Sequence, residues 1–233
     1  MYNYMKIAFC VPSTSKNRLW NDINQSYLFQ VLLPSMTKLT NCFDITLYIG
    51  YDDDDELYSK VALPQSYDNI NIIWNPFNGF KGNPCGIWTE LSRTAIKDGF
   101  EYMFICGDDI KLDKRNEWLG VFIKKLKKNN NIGYSAGWSN NNQIPTQFLI
   151  HKTHFDIFGF TYPPQIKNWY CDNWMFGIYG DKYGNWLKDY QHLNVGGQPR
   201  YIPNNDENIC KILVKRHIKL IKNYVNKINS NNH

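Results

Sequence analysis

Two adjacent carboxylates, Asp108 and Asp109, follow an almost wholly apolar stretch, Tyr102 to Cys106. Paired carboxylates repel unless protons or a cation neutralise them. A hard divalent ion held by one or two carboxylates plus phosphate oxygens is an economical neutraliser. The plainer alternative is an Asp pair that caps the next turn. A third carboxylate, Asp172, sits among Trp169, Tyr170 and Trp174. Apolar surroundings raise a carboxylate's pKa and suit it to general-base work, although its position also fits a helix N-cap.

Other polar clusters are less specific. Asp52 to Asp55 lacks the alternating spacing, central Gly and final Glu of a calcium loop. It reads as a solvated acidic turn from which one member accepts hydrogen bonds from a ribose or a base. Pro12 to Arg18 supplies hydroxyls and two cations but neither GxxxxGK[ST] nor GxGxxG. It is an ordinary loop or a nucleoside and phosphate contact. Lys81-Gly82-Asn83 precedes a predicted helix, where a cation and backbone amides can meet a diphosphate. His151, His154, His192 and His217 show no HExxH or paired His/Cys spacing, and no GxSxG elbow is present. Among them His192 lies near a predicted strand end and Arg200.

The elements that must position these groups follow from apolar periodicity. Lys6–Val11, Phe43–Tyr51, Asn71–Trp74 and Tyr102–Cys106 read as strands. Helices are expected from Asp22 to about Leu39, over Ile87–Lys97 and over Glu117–Lys128. Further strands are expected at Ile132–Ala136, Gln147–Ile150 and Leu187–Asn194, with helices over Asp172–Tyr179 and about Glu207–Asn226. The last of these is basic outside and apolar on one face, and packing against its own domain is the preferred reading over a membrane surface. Alternation through residue 128 argues for an α/β fold with a mainly parallel sheet, in which ligands sit at the carboxyl ends of strands. The expected organisation is one domain over 1–233. It has a nucleotide-binding half to about 110, an acceptor-side half from about 111 to 205 and a C-terminal helix over about 206–228.

Bulk properties narrow the class. The 233 residues, 43% hydrophobic and 20% charged, suit one packed domain and exclude wholesale disorder. A net charge of +5 admits an anionic ligand but does not require nucleic acid. No apolar run approaches a membrane span, and the start lacks a signal-peptide pattern. The six Cys form no CxxC pair, so they read as reduced thiols of a cytoplasmic protein.

Four segments together resemble a GT-A-type, nucleotide-sugar-dependent glycosyltransferase of the small sort encoded by large DNA viruses and some bacteria. They are Ile7 to Thr14, Tyr48 to Asp55, Cys106 to Ile110 and the aromatic segment around Asp172. The resemblance implies a single-domain Rossmann-like sheet. It implies transfer of a hexose-type sugar from a nucleotide diphosphate donor, a UDP-sugar, to a glycan or other hydroxyl acceptor, with Mn²⁺ or Mg²⁺. It assigns the nucleoside to Pro12, Ser13 and Thr14, the base or ribose to Asp52 or Asp53, and the diphosphate to Lys81, with Arg18 a further nucleotide-sugar contact. Asp109 would bind metal, Asp108 would hold ribose or a metal-bound water, Asp172 would be the catalytic base, and His192 a late metal ligand. The sequence departs from the family at Gly107, which stands where the family's Asp-x-Asp has its first acid. Two other readings remain: a sugar-phosphate nucleotidyltransferase, disfavoured by the absence of Gly in Pro12–Arg18, and a non-enzymatic carbohydrate-binding module.

Overall fold

The computed structural model describes residues 5–196, 200–204 and 206–231. Strand β1 (Met5–Pro12) is the axis of the molecule. It pairs in parallel with β2 (Phe43–Asp52) on one side and β5 (Tyr102–Ile105) on the other. Its residues alternate between two cores, Ile7, Phe9 and Val11 in one and Ala8 and Cys10 in the other. Burial on both faces is why the strand reads as a continuous apolar run.

Strand β4 (Ile70–Phe77) extends the parallel run beyond β2, and β3 (Ser66–Tyr67) closes that edge antiparallel. On the other side β8 (Phe148–His151) runs antiparallel to β5, followed by β7 (Tyr134–Trp138) and, parallel to it, β9 (Gly184–Gln191). The eight-stranded order is β3-β4-β2-β1-β5-β8-β7-β9. A two-stranded antiparallel pair, β6 (Ile110–Lys111) with β10 (Leu193–Asn194), stands apart and fixes the chain that follows β5.

The helix expected from Asp22 to Leu39 is broken. Asp22 caps a 3₁₀ turn at Ile23–Gln25 in a reciprocal box with Gln25. A π turn covers Leu28–Leu32, and only Leu33–Met36 (α1) is α-helical. Pro34 cannot donate a backbone hydrogen bond, and the bonding shifts so that Leu33 N–H reaches Leu28. Of the expected apolar face (Tyr27, Leu28, Val31, Leu32 and Met36), Leu28, Leu32 and Met36 are buried and Tyr27 and Val31 partly so, while Leu33 and Leu39 join the core.

Helix α2 (Pro84–Lys97) begins three residues earlier than expected, because Asn83 caps it and Pro84 fits its first turn. Helix α3 (Trp118–Lys128) covers one face of the sheet. Helices α4 (Thr153–Phe158), α5 (Cys171–Tyr183) and α6 (Glu207–Asn231) belong to the other side. The apolar face expected for α6 (Cys210, Leu213, Val214, Ile221, Tyr224 and Val225) packs on the core, with Cys210, Leu213 and Ile221 buried, and His217 joins them. Among the described residues no helix is long and apolar enough to cross a membrane.

Candidate functional site

The chain runs β1, β2, β4 in one direction across the sheet and then returns to β5 on the far side of β1. The carboxyl ends of β1 and β5 are therefore a switch point, where open α/β sheets form their crevice. A cleft of about 1670 Å³ opens there. It exceeds the roughly 300–1,000 Å³ typical of a single small-ligand pocket, leaving room for two ligands.

One wall comes from the loop after β1 and the end of β2. Ser13 N–H donates to Gly50 O at 2.8 Å, tying the loop to the sheet. The loop is then fastened by Asp55. That buried carboxylate accepts from Thr14 Oγ1, from Ser15 N and Oγ, and from the amides of Leu57 and Tyr58, at 2.6 to 3.1 Å. Asp55 is thus no solvated turn residue but the staple of the wall. Asp52 lies on the cleft with a buried Oδ1 that has no hydrogen-bond partner. Burial, and then the charge of Asp54, push its carboxyl up. Lys81 also lines the cleft and pairs with exposed Asp54.

The floor is the end of β5, where Asp108 and Asp109 have separate surroundings. Asp108 is 0% exposed. Its Oδ2 accepts from Ser13 Oγ at 2.6 Å and Arg200 Nη1 at 2.8 Å, and its Oδ1 pairs with Arg200 Nη2. For Arg200, burial alone would favour the neutral form; the Asp108 carboxylate more than reverses this and holds the guanidinium charged. Asp109 lines the cleft and lies 3.6 Å from Arg200 Nη2. Burial, and then the charge of Asp108, push its carboxyl up to about 6. Gly196 lies against this carboxylate so closely that a Cβ there would overlap Asp109 Oδ2.

The opposite wall carries Trp169, Tyr170 and Asp172. Tyr170 takes a left-handed conformation, φ 68°, immediately before α5. Asp172 therefore falls in the first turn of the helix and is not its N-cap. Burial pushes its carboxyl up to about 7, against a weak contact from Cys171 Sγ at 3.7 Å. Buried Asn168 aligns this wall. It donates to Gly82 O at 2.8 Å and Ile202 O at 3.2 Å, and accepts from Asn204 N at 2.8 Å and Trp169 N. The loop after β7 adds Ser139 to Gln143, an amide-rich lining.

Of the residues singled out in the sequence, Pro12, Ser13, Thr14, Asp52, Lys81, Asp109 and Asp172 line the cleft. The others lie elsewhere. Asp53 accepts from Asn78 Nδ2 at 3.0 Å beside the acidic turn. Arg18 donates to Gly196 O at 3.1 Å and lies over the ring of Tyr27. Asp108 stands behind Ser13 with both oxygens engaged, so the structure gives it a role in holding the site together. His192 is corrected outright. It is fully buried among Phe104, Trp118 and Phe122, both ring nitrogens lack a partner, and burial lowers its pKa to about 3. It belongs to the aromatic core, not to a metal site.

Among the described residues no three His, Cys, Asp or Glu side chains converge as a metal-holding group. The fit to a divalent cation rests on Asp109 alone. It is an oxygen donor, it faces the cleft, and its raised pKa marks a charge that lacks full compensation. One carboxylate plus phosphate oxygens is a usual Mg²⁺ donor set.

No family model matches the sequence, and no curated protein matches it. Solved structures do. The chain superposes on TarS 1–349 of S. aureus in complex with UDP-GlcNAc, with a TM-score of 0.55 and 13% identity, over 91% of this chain and 66% of that one. The same fragment in complex with UDP gives 0.53 and 12%. A protein described as a nucleotide-diphospho-sugar transferase from Desulfovibrio desulfuricans gives 0.50 and 15%, covering 94% of this chain and 97% of its own. The fold is GT-A. The match spans 66% of the TarS fragment's length, and at 13% identity the likeness shows the fold alone.

Proposed function

We propose that the protein is a glycosyltransferase that moves a hexose-type sugar from a UDP-sugar to a hydroxyl acceptor. The observation that carries this reading is the pairing of Asp109, on the strand-end floor, with Asp172, a carboxylate tuned to about 7, in one cleft large enough for donor and acceptor. The TarS complexes with UDP and UDP-GlcNAc, on the same fold, support the choice of donor.

In this reading the nucleoside lies along Pro12–Thr14, with Asp52 accepting a hydrogen bond from the base or ribose. Asp52 has an unpartnered buried oxygen to offer. Lys81, Lys16 and Arg200 line the cleft and offset the diphosphate's charge. Mn²⁺ or Mg²⁺, held by Asp109 and phosphate oxygens, would supply further neutralisation of the departing diphosphate. The bond from the sugar's anomeric carbon to the phosphate oxygen breaks, and its electron pair leaves with the diphosphate. The acceptor oxygen bonds to that carbon, and its proton passes to the Asp172 carboxylate. A pKa near the working pH maximises the fraction of base while keeping it basic enough to act.

The test is calorimetric titration with UDP in Mn²⁺ and then in EDTA, with GDP as control. UDP binding that is lost in EDTA supports the full reading. UDP binding that persists in EDTA removes the metal and leaves the nucleotide-sugar reading in place. Binding of neither nucleotide in Mn²⁺ refutes it and favours a sugar-binding module. Transfer activity is then followed as UDP release from UDP-GlcNAc, UDP-glucose and UDP-galactose with added acceptor glycans.

A further inference from the structure

The whole net charge of the protein resides in α6. Residues 207–231 contain Lys211, Lys215, Arg216, Lys219, Lys222 and Lys227 against one acid, Glu207, for a net of +5. The full chain has 26 Lys and Arg and 21 Asp and Glu, so everything outside the helix is neutral, with 20 of each. Such concentration is not what dispersed surface charge produces, and it marks an interaction face.

The arrangement on the helix sharpens this. One face is sequestered by Cys210, Leu213, His217 and Ile221. Lys211, Lys215, Lys219 and Lys222 follow at i, i+4, i+8 and i+11 and form one exposed row. Glu207 engages only Lys211, at 2.7 Å. Beside that row Ile209, Ile212, Arg216 and Leu220 form a second line, and its aliphatic members are open to solvent, with Ile212 64% exposed. At about 1.5 Å per residue this double stripe, from Ile209 to Lys222, runs about 20 Å along the helix. Lysine rows beside exposed isoleucine and leucine match a surface that is anionic outside and apolar just beneath. Nucleic acid offers the charge but gives the aliphatic line nothing to enter.

The helix also leads to the cleft. Cys210, in its first turn, contacts Tyr170 O through Sγ at 3.6 Å, two residues from Asp172. Around that mouth Trp169 and Ile202 line the cleft and are 44% and 90% exposed.

We propose that α6 docks the protein on an anionic phospholipid surface, lysine row against headgroups and Ile209, Ile212 and Leu220 in the interface. This goes beyond the transfer chemistry, which uses none of these lysines.

Co-sedimentation with vesicles tests it. The full chain is mixed with phosphatidylcholine vesicles and with vesicles of equal parts phosphatidylcholine and phosphatidylglycerol, at 0.1 M and 0.5 M salt. Binding to the anionic vesicles only, weakened at high salt, is expected. Each cation near such a surface contributes about a factor of five, so the triple variant Lys215→Gln, Lys219→Gln, Lys222→Gln should lose roughly 100-fold. Ile212→Gln should weaken binding without changing the net charge. Both variants should bind UDP as the unaltered protein does, which separates this proposal from the reading of the cleft. No binding of the unaltered protein to anionic vesicles overturns the proposal. So does equal binding by the triple variant, or an Ile212→Gln variant indistinguishable from the unaltered protein in vesicle binding.

Discussion

Asp172 gives the sharpest test of the site, because the same environment predicts a rate and a stability. In the unfolded chain its pKa is 3.8, and in the fold it is about 7. The folded form therefore binds the proton more tightly, and stability falls as pH rises from about 4 to about 7. At about 1.4 kcal/mol per pH unit the full difference is about 4 kcal/mol. The carboxylate keeps one side toward the cleft, so about 2–4 kcal/mol is the realistic range. Asp172→Asn keeps the size and stays neutral. Relative to the unaltered protein it should be equally stable near pH 4 and about 2–4 kcal/mol more stable at pH 8, as read by urea unfolding at both pH values. All other titrating groups are common to the two proteins and cancel in the difference. Transfer should fall about 10²–10⁴-fold in the variant, and kcat of the unaltered enzyme should rise with pH to a plateau above about 7. A stability difference that does not change between pH 4 and pH 8 would refute the assignment of Asp172 as a buried, neutralised acid. A flat pH–rate profile would remove it as the base.

Three other perturbations follow from the geometry. Arg200→Met strands Asp108, a fully buried carboxylate, with only the Ser13 hydroxyl; a loss of about 3–5 kcal/mol in urea unfolding is expected, and a loss under 1 kcal/mol would show the pair is not the clamp described. Gly196→Ala puts a methyl group into Asp109; UDP affinity in Mn²⁺ should drop at least tenfold while the fold is retained by circular dichroism, and unchanged affinity would mean Asp109 does not meet the ligand. His192, lowered to about 3 by burial, contributes stability that is present above about pH 6.5 and lost as pH falls toward 3. His192→Phe should therefore fare better against the unaltered protein at pH 4.5 than at pH 7.5, whatever the cost of the larger ring, and a pH-independent difference would contradict it.

What the sequence made legible was local. Residues 6–11, 43–51 and 102–106 read as strands because strands buried on both faces are continuous apolar runs, and their ends pointed to the cleft. Asp109 and Asp172 were visible for the same reason, as carboxylates abutting apolar or aromatic neighbours. The break at Pro34 was legible in principle but hidden by an apolar face that survives a change of helix type. Tertiary partners were not legible. Arg200 lies 92 positions from Asp108, and nothing in its neighbourhood marks it as that carboxylate's counter-ion. Asn168 joins Gly82, Ile202 and Asn204, contacts that exist only once three loops meet. His192 misled because proximity to a strand end says nothing about which face a ring enters. It went into the cluster of Phe104, Trp118 and Phe122.

The acidic clusters share a division of labour that explains why each has more carboxylates than chemistry needs. In Asp52–Asp55, Asp55 accepts five hydrogen bonds and fixes the wall, which leaves Asp52 on the cleft with an oxygen unpartnered. In Asp108–Asp109, Asp108 joins the β1 loop to Arg200, which leaves Asp109 facing the cleft, its charge only partly offset. The gripped acid does two things for its neighbour. It fixes the backbone that aims the neighbour, and for Asp109 its negative charge raises the neighbour's pKa. Burying a charge pair such as Asp108–Arg200 is an inefficient way to gain stability, since its desolvation offsets most of its attraction. Its value lies in placing Asp109 at a fixed point with an unmet electrostatic demand. Asp172 reaches a similar condition by burial alone, without an acidic partner. Under the proposed function, carboxylates driven to different pKa values by different surroundings would let one cleft bind an anion's cation at one end and take up a proton at the other.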